Sequence, residues 1–311
     1  MAHPSEPVDG RSDAKLSAIV SERRQLTNLA YRLLGSLADA EDVVQETYAR
    51  WYAMSHRQQE DIDAPGGWLT TVASRICLDL LRSARVRRER YVGEWIPEPL
   101  PHRAEWIGGR SSGGADPADQ VTLDESVSMA FLVVLDAMTP AERVAFILHD
   151  IFGYPFADVA AIVGRTPEAC RQLAVSARRR IQVPRPDAGP STRRADLVRA
   201  FKRAWETTDI DALIGLLASD ATATGDGGGL VTAALHPIEG AGQVARFFVD
   251  RPTAAAGVTL QECTVNGQPG LVARRNGVTV SVMAFDLGDD HIHHIWAVLN
   301  PDKLRSWTAT C

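Results

Sequence analysis

The chain has 311 residues, 45% hydrophobic and 23% charged, ordinary globular proportions that exclude a wholly disordered polymer and predict two or three domains. Its 33 basic and 39 acidic residues give a net charge of −6, so a globally basic nucleic-acid binder is excluded and any basic surface must be local. No run approaches the roughly 18 uninterrupted apolar residues of a membrane span, and the first twenty residues lack the basic-then-apolar layout of a secretory leader, so a cytoplasmic protein with no membrane partner is expected.

The first elements are helical. From Ala14 to Leu34, apolar residues including Leu16, Ile19, Leu26, Leu29 and Leu33 recur near the 3.6 period, and Gly35 follows as a C-cap. Asp39 to Met54 predicts a second helix, with Ala40, Val43, Val44, Thr47, Tyr48 and Trp51 on one side. Pro65-Gly66-Gly67 starts a third, Trp68 to Arg90, apolar in its first half and arginine-rich in its second. Residues 14–91 thus read as an all-helical bundle. Residues 92–119 carry Pro97, Pro99, Pro101, Pro117 and a Gly/Ser run, which forbid regular structure, so they read as a linker. Its tryptophans, Trp95 and Trp106, are unusual for a solvated tether and predict docking on a neighbour or a partner.

Residues 120–183 return to helix. Val121 to Met138 is one expected helix. Thr139 at N-cap, Pro140 at N1 and Glu142 at N3 form a capping box that starts the next, running to Ile151. Phe156 to Val163, the turn Gly164-Arg165-Thr166, and Pro167 to Ile181 follow. A Pro-rich joint at 184–190 marks another boundary. Residues 192–308 change pattern. Helices Arg193–Glu206 and Asp211–Ala218 precede alternating runs at Val258–Val265, Leu271–Arg275, Val278–Leu287 and His291–Leu299. Asn276-Gly277 is a hairpin signal. The expectation is an α+β domain with an antiparallel sheet of four or more strands. Cys77, Cys170, Cys263 and Cys311 lie far apart with no C-x-x-C, which predicts no metal site and reduced thiols.

Three stretches carry chemistry, each with a plainer reading beside it. Phe156–Ile181 has the layout of a helix-turn-helix. On its second helix Ala169, Leu173, Ala177 and Ile181 project inward, and Glu168, Arg171, Gln172, Val175, Arg178 and Arg179 project outward. Arg and Gln early in such a helix suit base edges, and later arginines suit phosphates. The alternative is a helical hairpin with a solvated basic face. Arg82, Arg85, Arg87, Arg88 and Arg90, with Trp68 and Tyr91, suit a single strand, or are arginines offsetting a helix dipole. Asp39, Glu41, Asp42 and Glu46 head a helix as a protein-binding rim, or as acids favoured at a helix start.

As a set, these stretches resemble a bacterial extracytoplasmic-function (group IV) RNA polymerase sigma factor. DAEDVVQETYARWY (39–52) is similar to the part such factors place on the β′ clamp helices of core RNA polymerase. The resemblance assigns Asp39, Asp42, Val43, Gln45, Glu46 and Trp51 to that contact. WLTTVASRICLDLLRSARVRR (68–88) resembles the part that melts and reads the −10 element, which assigns Trp68, Arg75, Arg82, Arg85 and Arg88. Residues 135–181 resemble region 4, which meets the β flap and reads the −35 element of promoter DNA. Thr166, Glu168, Arg171, Gln172, Val175, Arg178 and Arg179 take that role. The implied architecture is multidomain: two all-α sigma domains, a helical bundle and a helix-turn-helix, plus a third domain.

GEWIPEP (93–99), GDGGGL (225–230), VNGQPG (265–270) and LNPDKL (299–304) resemble the sigma subfamily with a fused C-terminal SnoaL-like domain, an NTF2-like cone-shaped α+β barrel. Leu230 stands where that subfamily's glycine motif has Lys. The resemblance implies that the barrel modulates the sigma part through an intramolecular contact. Asp226, Gly227, Gly228, Gly229, Asn300, Pro301, Asp302 and Lys303 are the candidates for it. Asp226 and its glycines lack the Lys-Ser/Thr ending of a nucleotide loop, so a tight loop or close backbone approach is expected. No catalysed reaction, catalytic residue or cofactor is implied. The alternative is a SnoaL-like enzyme or ligand sensor fused to a DNA-binding regulator. His291, His293 and His294, beside Asp289 and Asp290, would then do acid–base work, rather than being strand-edge or core histidines.

Overall fold

The structure, a computed structural model, describes residues 10–88, 91–101, 127–181, 191–251, 257–288 and 290–307, with the side chains of 10–21, 84–88 and 191 outside that description. Trp106, Asp289 and the side chains of Arg85 and Arg88 therefore lie outside the described residues.

The helical half begins with α1 (Gly10–Leu34), α2 (Leu37–Ala53), α3 (His56–Glu60) and α4 (Pro65–Arg88). Ser36 caps α2 by accepting from the Asp39 N–H. The five residues of α3 are all polar, so no periodicity announced them; a capping box of Ser55 and Gln58 holds that turn. Next come α5 (Met129–Asp136), α6 (Pro140–Phe146), a π-turn over Ile147–Ile151, α7 (Phe156–Val163) and α8 (Pro167–Ile181). The described part of the helix expected from Val121 starts at Met129, capped by Ser128. The capping box at Thr139 and Glu142 forms as expected. Gly164 ends α7 in the left-handed conformation at φ 74°.

The two helical modules share one core. Leu26, Leu29 and Leu33 of α1, Val43 and Val44 of α2, and Leu69 and Leu78 of α4 pack with Leu135, Ile147, Leu148, Val159 and Val163. Polar ties cross the seam. Arg143 of α6, buried at 4% exposure, donates to the Leu33 carbonyl at 2.8 Å and to Asp136 at 2.8 Å.

The C-terminal domain contains α9 (Ser191–Glu206), α10 (Ile210–Leu216), β1 (Leu217–Asp226), β2 (Ile238–Glu239), α11 (Ala241–Val249) and β3–β6 (Val258–Val265, Gln268–Arg275, Val278–Leu287, Ile292–Val298). The sheet order is β2-β1-β6-β5-β4-β3. It is mixed, not purely antiparallel as expected, because β1 runs parallel to β6. Sequence reading continued the α10 helix to Ala218 and missed β1. LASDATATGD has only threonine as a β-branched residue, so pairing with β6 and β2 imposes the strand.

Each sheet face has its own apolar cluster. On one, Phe201 and Trp205 of α9, Phe248 of α11 and Phe285 of β5 interlock. Ring centroids lie 5.1 Å apart for Phe201–Phe248, 5.5 Å for Phe201–Phe285 and 4.8 Å for Trp205–Phe248. Leu213, Leu271, Met283, Ile292 and Ile295 complete this interior. On the other face Val265, Val272, Val282, Ala284, Trp296 and Val298 meet Ile96 of the linker, Met129 of α5, Leu304 and Trp307. Phe201 is fully buried; Phe201→Ala is expected to cost about 3–5 kcal/mol in a denaturant titration, and a loss under about 1 kcal/mol would contradict this packing.

A candidate regulatory junction and nucleic-acid interface

Residues 91–101 follow α4 as an extended strap wedged between the helical half and the sheet. Pro97, Pro99 and Pro101 lack N–H groups, so neither helix nor sheet ladder can continue through them. The intervening residues keep one N–H each, and every one is used. Ile96 donates to Asp226 at 3.0 Å, Glu98 to the Gly35 carbonyl at 2.8 Å, and Leu100 to Asn266 Oδ1 at 3.0 Å. The carbonyls are also taken. Lys303 Nζ reaches Ile96 O at 2.5 Å, Tyr31 Oη reaches Glu98 O at 2.7 Å, and Trp307 Nε1 reaches Pro99 O at 2.8 Å. Alternate partners thus lie in the C-terminal domain and in α1 or its cap.

Asp226, at the end of β1, is 0% exposed. Its carboxylate accepts from Tyr91 Oη (2.6 Å), Lys303 Nζ (2.7 Å), and the N–H groups of Ile96 and Gly228 (both 3.0 Å). A buried charge is tolerated when its pairing is this complete. Lys303 also lies 4.2 Å from the Trp95 ring centroid and 5.4 Å from that of Tyr91. Asn300 Oδ1 caps the Asp302 N–H at 3.0 Å and starts the turn Pro301–Lys303, which delivers Lys303 inward. Pro301 and Asp302 remain exposed, and Asp302 pairs with Arg305. A Cβ on Gly228, at φ +64°, would lie 2.3 Å from Asn300 Nδ2, and one on Gly35, at φ +68°, 2.8 Å from the Trp95 ring. Both glycines are needed for close approach. Leu230 is 64% exposed.

Asn266 was assigned no role from the sequence. It sits in the β3–β4 turn at φ 49°, is 4% exposed, and joins three modules. Its side chain accepts from Leu100 and donates to Tyr31 Oη at 2.8 Å and to the Val127 carbonyl at 3.0 Å. An Asn-Gly pair reads as a hairpin turn, and nothing local distinguishes a buried turn from a solvated one. Glu98 was missed as well. Its carboxylate accepts from the Leu37 N–H at 2.8 Å, at the start of α2.

The sequence-predicted interface residues lie on the helical half. On α8, Glu168, Arg171, Gln172, Val175 and Arg179 are exposed. Thr166 accepts from the Ala169 N–H at 3.2 Å. Arg171 pairs with Glu168 and lies 5.4 Å from the Phe156 ring; Arg178 pairs with Asp150 at 2.6 Å. The buried seam is Cys170, Ala174 and Ala177, so Ala169 sits half-buried beside it instead of leading it. On α4, Trp68 meets Trp51 edge-on at 5.3 Å and Arg82 lies 3.4 Å from Asp79. Arg75 donates to the Ala161 carbonyl of α7 at 3.0 Å. On α2, Asp42, Gln45 and Glu46 are exposed, Asp39 and Trp51 half-buried, and Glu46 pairs with Arg50. Val43 corrects the expectation of a contact residue: at 1% exposure it packs in the helical core with Val44, and it supports α2 from beneath.

His291 and His293 are exposed. His294 bonds Thr224 at 2.9 Å and stacks on Trp296 at 4.4 Å. Burial holds His294 down to about 4, so it is neutral near pH 7. Among the described residues no group of three or more His, Cys, Asp or Glu could hold a metal, and no helix is long and apolar enough to cross a membrane.

Burial pushes the Glu98 carboxyl up to about 7 from 4.5, against the pull of the Leu37 N–H and of Lys303. The docked strap therefore holds a proton that a free strap would release. Its stabilisation is complete below about 4.5 and is lost as pH rises through about 7. Hydrogen exchange of the strap amides is expected to quicken, beyond the intrinsic pH trend, from pH 5 to 8 and to lose that excess in Glu98→Gln. Slowing over the same range would contradict it.

The family profile "Sigma-70 region 2" matches residues 18–87, and "Sigma-70, region 4" matches residues 128–181. The chain is 36% identical over 302 residues to the ECF RNA polymerase sigma factor SigJ of Mycobacterium tuberculosis, spanning 93% of each protein. It is 36% identical over 287 residues to that organism's probable ECF RNA polymerase sigma factor SigI, spanning 91% of this chain and 92% of SigI. The crystal structure of M. tuberculosis SigJ aligns at a TM-score of 0.71 and 33% identity, covering 94% of this chain and 98% of that one. Two sigma-70 regions in order, on helices that share a core and carry a docked C-terminal sheet, place the chain in the extracytoplasmic-function family of RNA polymerase sigma factors.

Proposed function

We propose that the chain directs core RNA polymerase to promoter DNA, catalyses no reaction of its own, and is restrained by its C-terminal domain. The sigma-70 regions and the sigma-factor relatives support the first part. One observation carries the closed state that this restraint holds: Arg75 of α4 donates to the Ala161 carbonyl of α7 at 3.0 Å. The helix proposed to open the −10 element thus touches the helix-turn-helix proposed to read the −35 element.

Those elements lie about 25 base pairs apart, or about 85 Å along the duplex. A packed body of about 170 residues spans only about 40 Å. The closed arrangement cannot engage both elements, so initiation requires opening. The strap between the modules is the joint, and Asp226, Asn266, Lys303 and Trp307 hold it shut.

Once open, α8 enters the major groove, with Arg171 and Gln172 toward base edges and Arg178 and Arg179 toward phosphates. Arg75 exchanges a carbonyl for the nucleic acid, and Trp68 and Arg82 extend that face. Asp39, Asp42, Gln45, Glu46 and Trp51 form the rim offered to the polymerase clamp. A net charge of −6 fits a factor whose duplex affinity is completed by polymerase.

The test is run-off transcription with core polymerase on a supercoiled template. Asp226→Asn leaves the Lys303 charge without its partner, at a cost of about 3–5 kcal/mol to the closed state. At limiting factor its transcript yield is expected to rise, and Tyr91→Phe, which removes the hydroxyl's two hydrogen bonds to Asp226 and Asn300 but leaves no charge unpaired, to raise it less. Yields equal to or below the parent, with polymerase binding intact, would overturn the restraint. Arg171→Ala is expected to lose about 1–3 kcal/mol of −35 discrimination; no loss would remove α8 from base readout. Failure of the full chain to bind core polymerase would overturn the whole reading.

A further inference from the structure

Apart from the aromatic interior of the C-terminal domain, a groove of about 980 Å³ opens where α10, α11 and the starts of β1 and β6 meet. Its size lies at the upper end of small-molecule sites. Ile210 and Ile214 of α10, one helical turn apart, form an apolar wall with Leu217 and Ala218 at the start of β1. Ile214 is 40% exposed, so its side chain is open to a ligand in the groove. Also lining the groove are Arg246 and Gln243 of α11, His291 just before β6 and His293 within it. All four polar side chains are exposed, and none has a hydrogen-bond or ion-pair partner among the described residues. Asp220 of β1 also lines the groove.

The composition selects a ligand. Arg246 and the imidazoles offer donors to an anion, and the isoleucine wall offers area to a short hydrocarbon. Asp220 repels a second negative charge, which disfavours phosphate and dicarboxylates. We propose that this groove binds a small monocarboxylic acid with an apolar body, and that occupancy is transmitted to the strap.

The route of transmission is the parallel strand pair. β1 and β6 both start at the groove and both end at the strap clamp. Leu217 pairs with Ile292 at one end, and Asp226 with Val298 at the other. β1 has an irregularity between Leu217 and Thr222, and the matching stretch of β6, Ile292 to Val298, covers roughly 20 Å. β1 delivers the Asp226 carboxylate, and β6 leads directly into Asn300 and Lys303. A carboxylate clamped between Arg246 and His293 bears on the starts of both strands, whose far ends grip Ile96 and Tyr91.

The experiment titrates sodium octanoate and, separately, inorganic phosphate into the full chain by calorimetry. Hydrogen exchange of the Ile96, Glu98 and Leu100 amides is followed in parallel. Neither readout needs polymerase, so their outcome is independent of the transcriptional proposal. Octanoate is expected to bind at least tenfold more tightly than phosphate. Arg246→Gln and Ile214→Ser, both at exposed positions, are each expected to weaken octanoate tenfold or more. Saturating octanoate is expected to change strap exchange at least threefold in the parent and not in Arg246→Gln. Absence of octanoate binding, binding that neither substitution weakens, or phosphate binding as tightly would overturn the site. Octanoate binding with unchanged strap exchange would overturn the transmission.

Discussion

A single buried carboxylate organises this molecule. Asp226 has no solvent exposure, and its full complement of donors comes from three places: its own loop, the C-terminal turn, and the strap that joins the two sigma regions. An ion removed from water on this scale is stable only while every partner is in place. The pair with Lys303 therefore acts less as glue than as a condition. When the strap is seated the charge is satisfied, and when it is displaced two donors leave at once. That all-or-none character is what a two-state element requires.

The strap itself is built for docking. A repeat of proline every second residue from Pro97 to Pro101 removes half of its donors and stiffens the rest. The remaining N–H groups point alternately at the sheet side and at the α1 cap. Stiffness lowers the entropy lost on seating, and complete pairing avoids orphaned donors beneath the sheet. Apolar contact does the bulk work. The sheet face that would otherwise meet water is covered by Ile96, Met129, Leu304 and Trp307, so the C-terminal domain binds strap and region 4 together. Closure follows from this geometry, because the helical modules then share one core.

Local signals were legible and tertiary ones were not. The boundaries of α7 and α8 could be read because Gly164, Thr166 and Pro167 each impose a conformation through their own chemistry. The helical halves, the strand runs and the region resemblance were readable for the same reason. β1 was not, since LASDATATGD becomes a strand only through its neighbours. Of the site, Asp226 and Lys303 came from motif resemblance, but their mutual contact spans 77 residues and no pattern encodes it. Asn266 and Glu98 lie inside the VNGQPG and GEWIPEP motifs but drew no role of their own, because a turn asparagine and a linker glutamate are ordinarily solvated. Val43 shows the reverse error: a motif position inside a contact stretch faces the core, because α2 must bury one side to be held at all.

The central claim is that seating of the strap around Asp226 keeps α4 and α8 together. Spin labels at Arg82 and Gln172, both exposed, report their separation by pulsed dipolar spectroscopy. A single short distance is predicted for the parent chain, with a second, longer population appearing in Asp226→Asn and in the parent bound to core polymerase. One unchanged distance distribution in all three samples would contradict it.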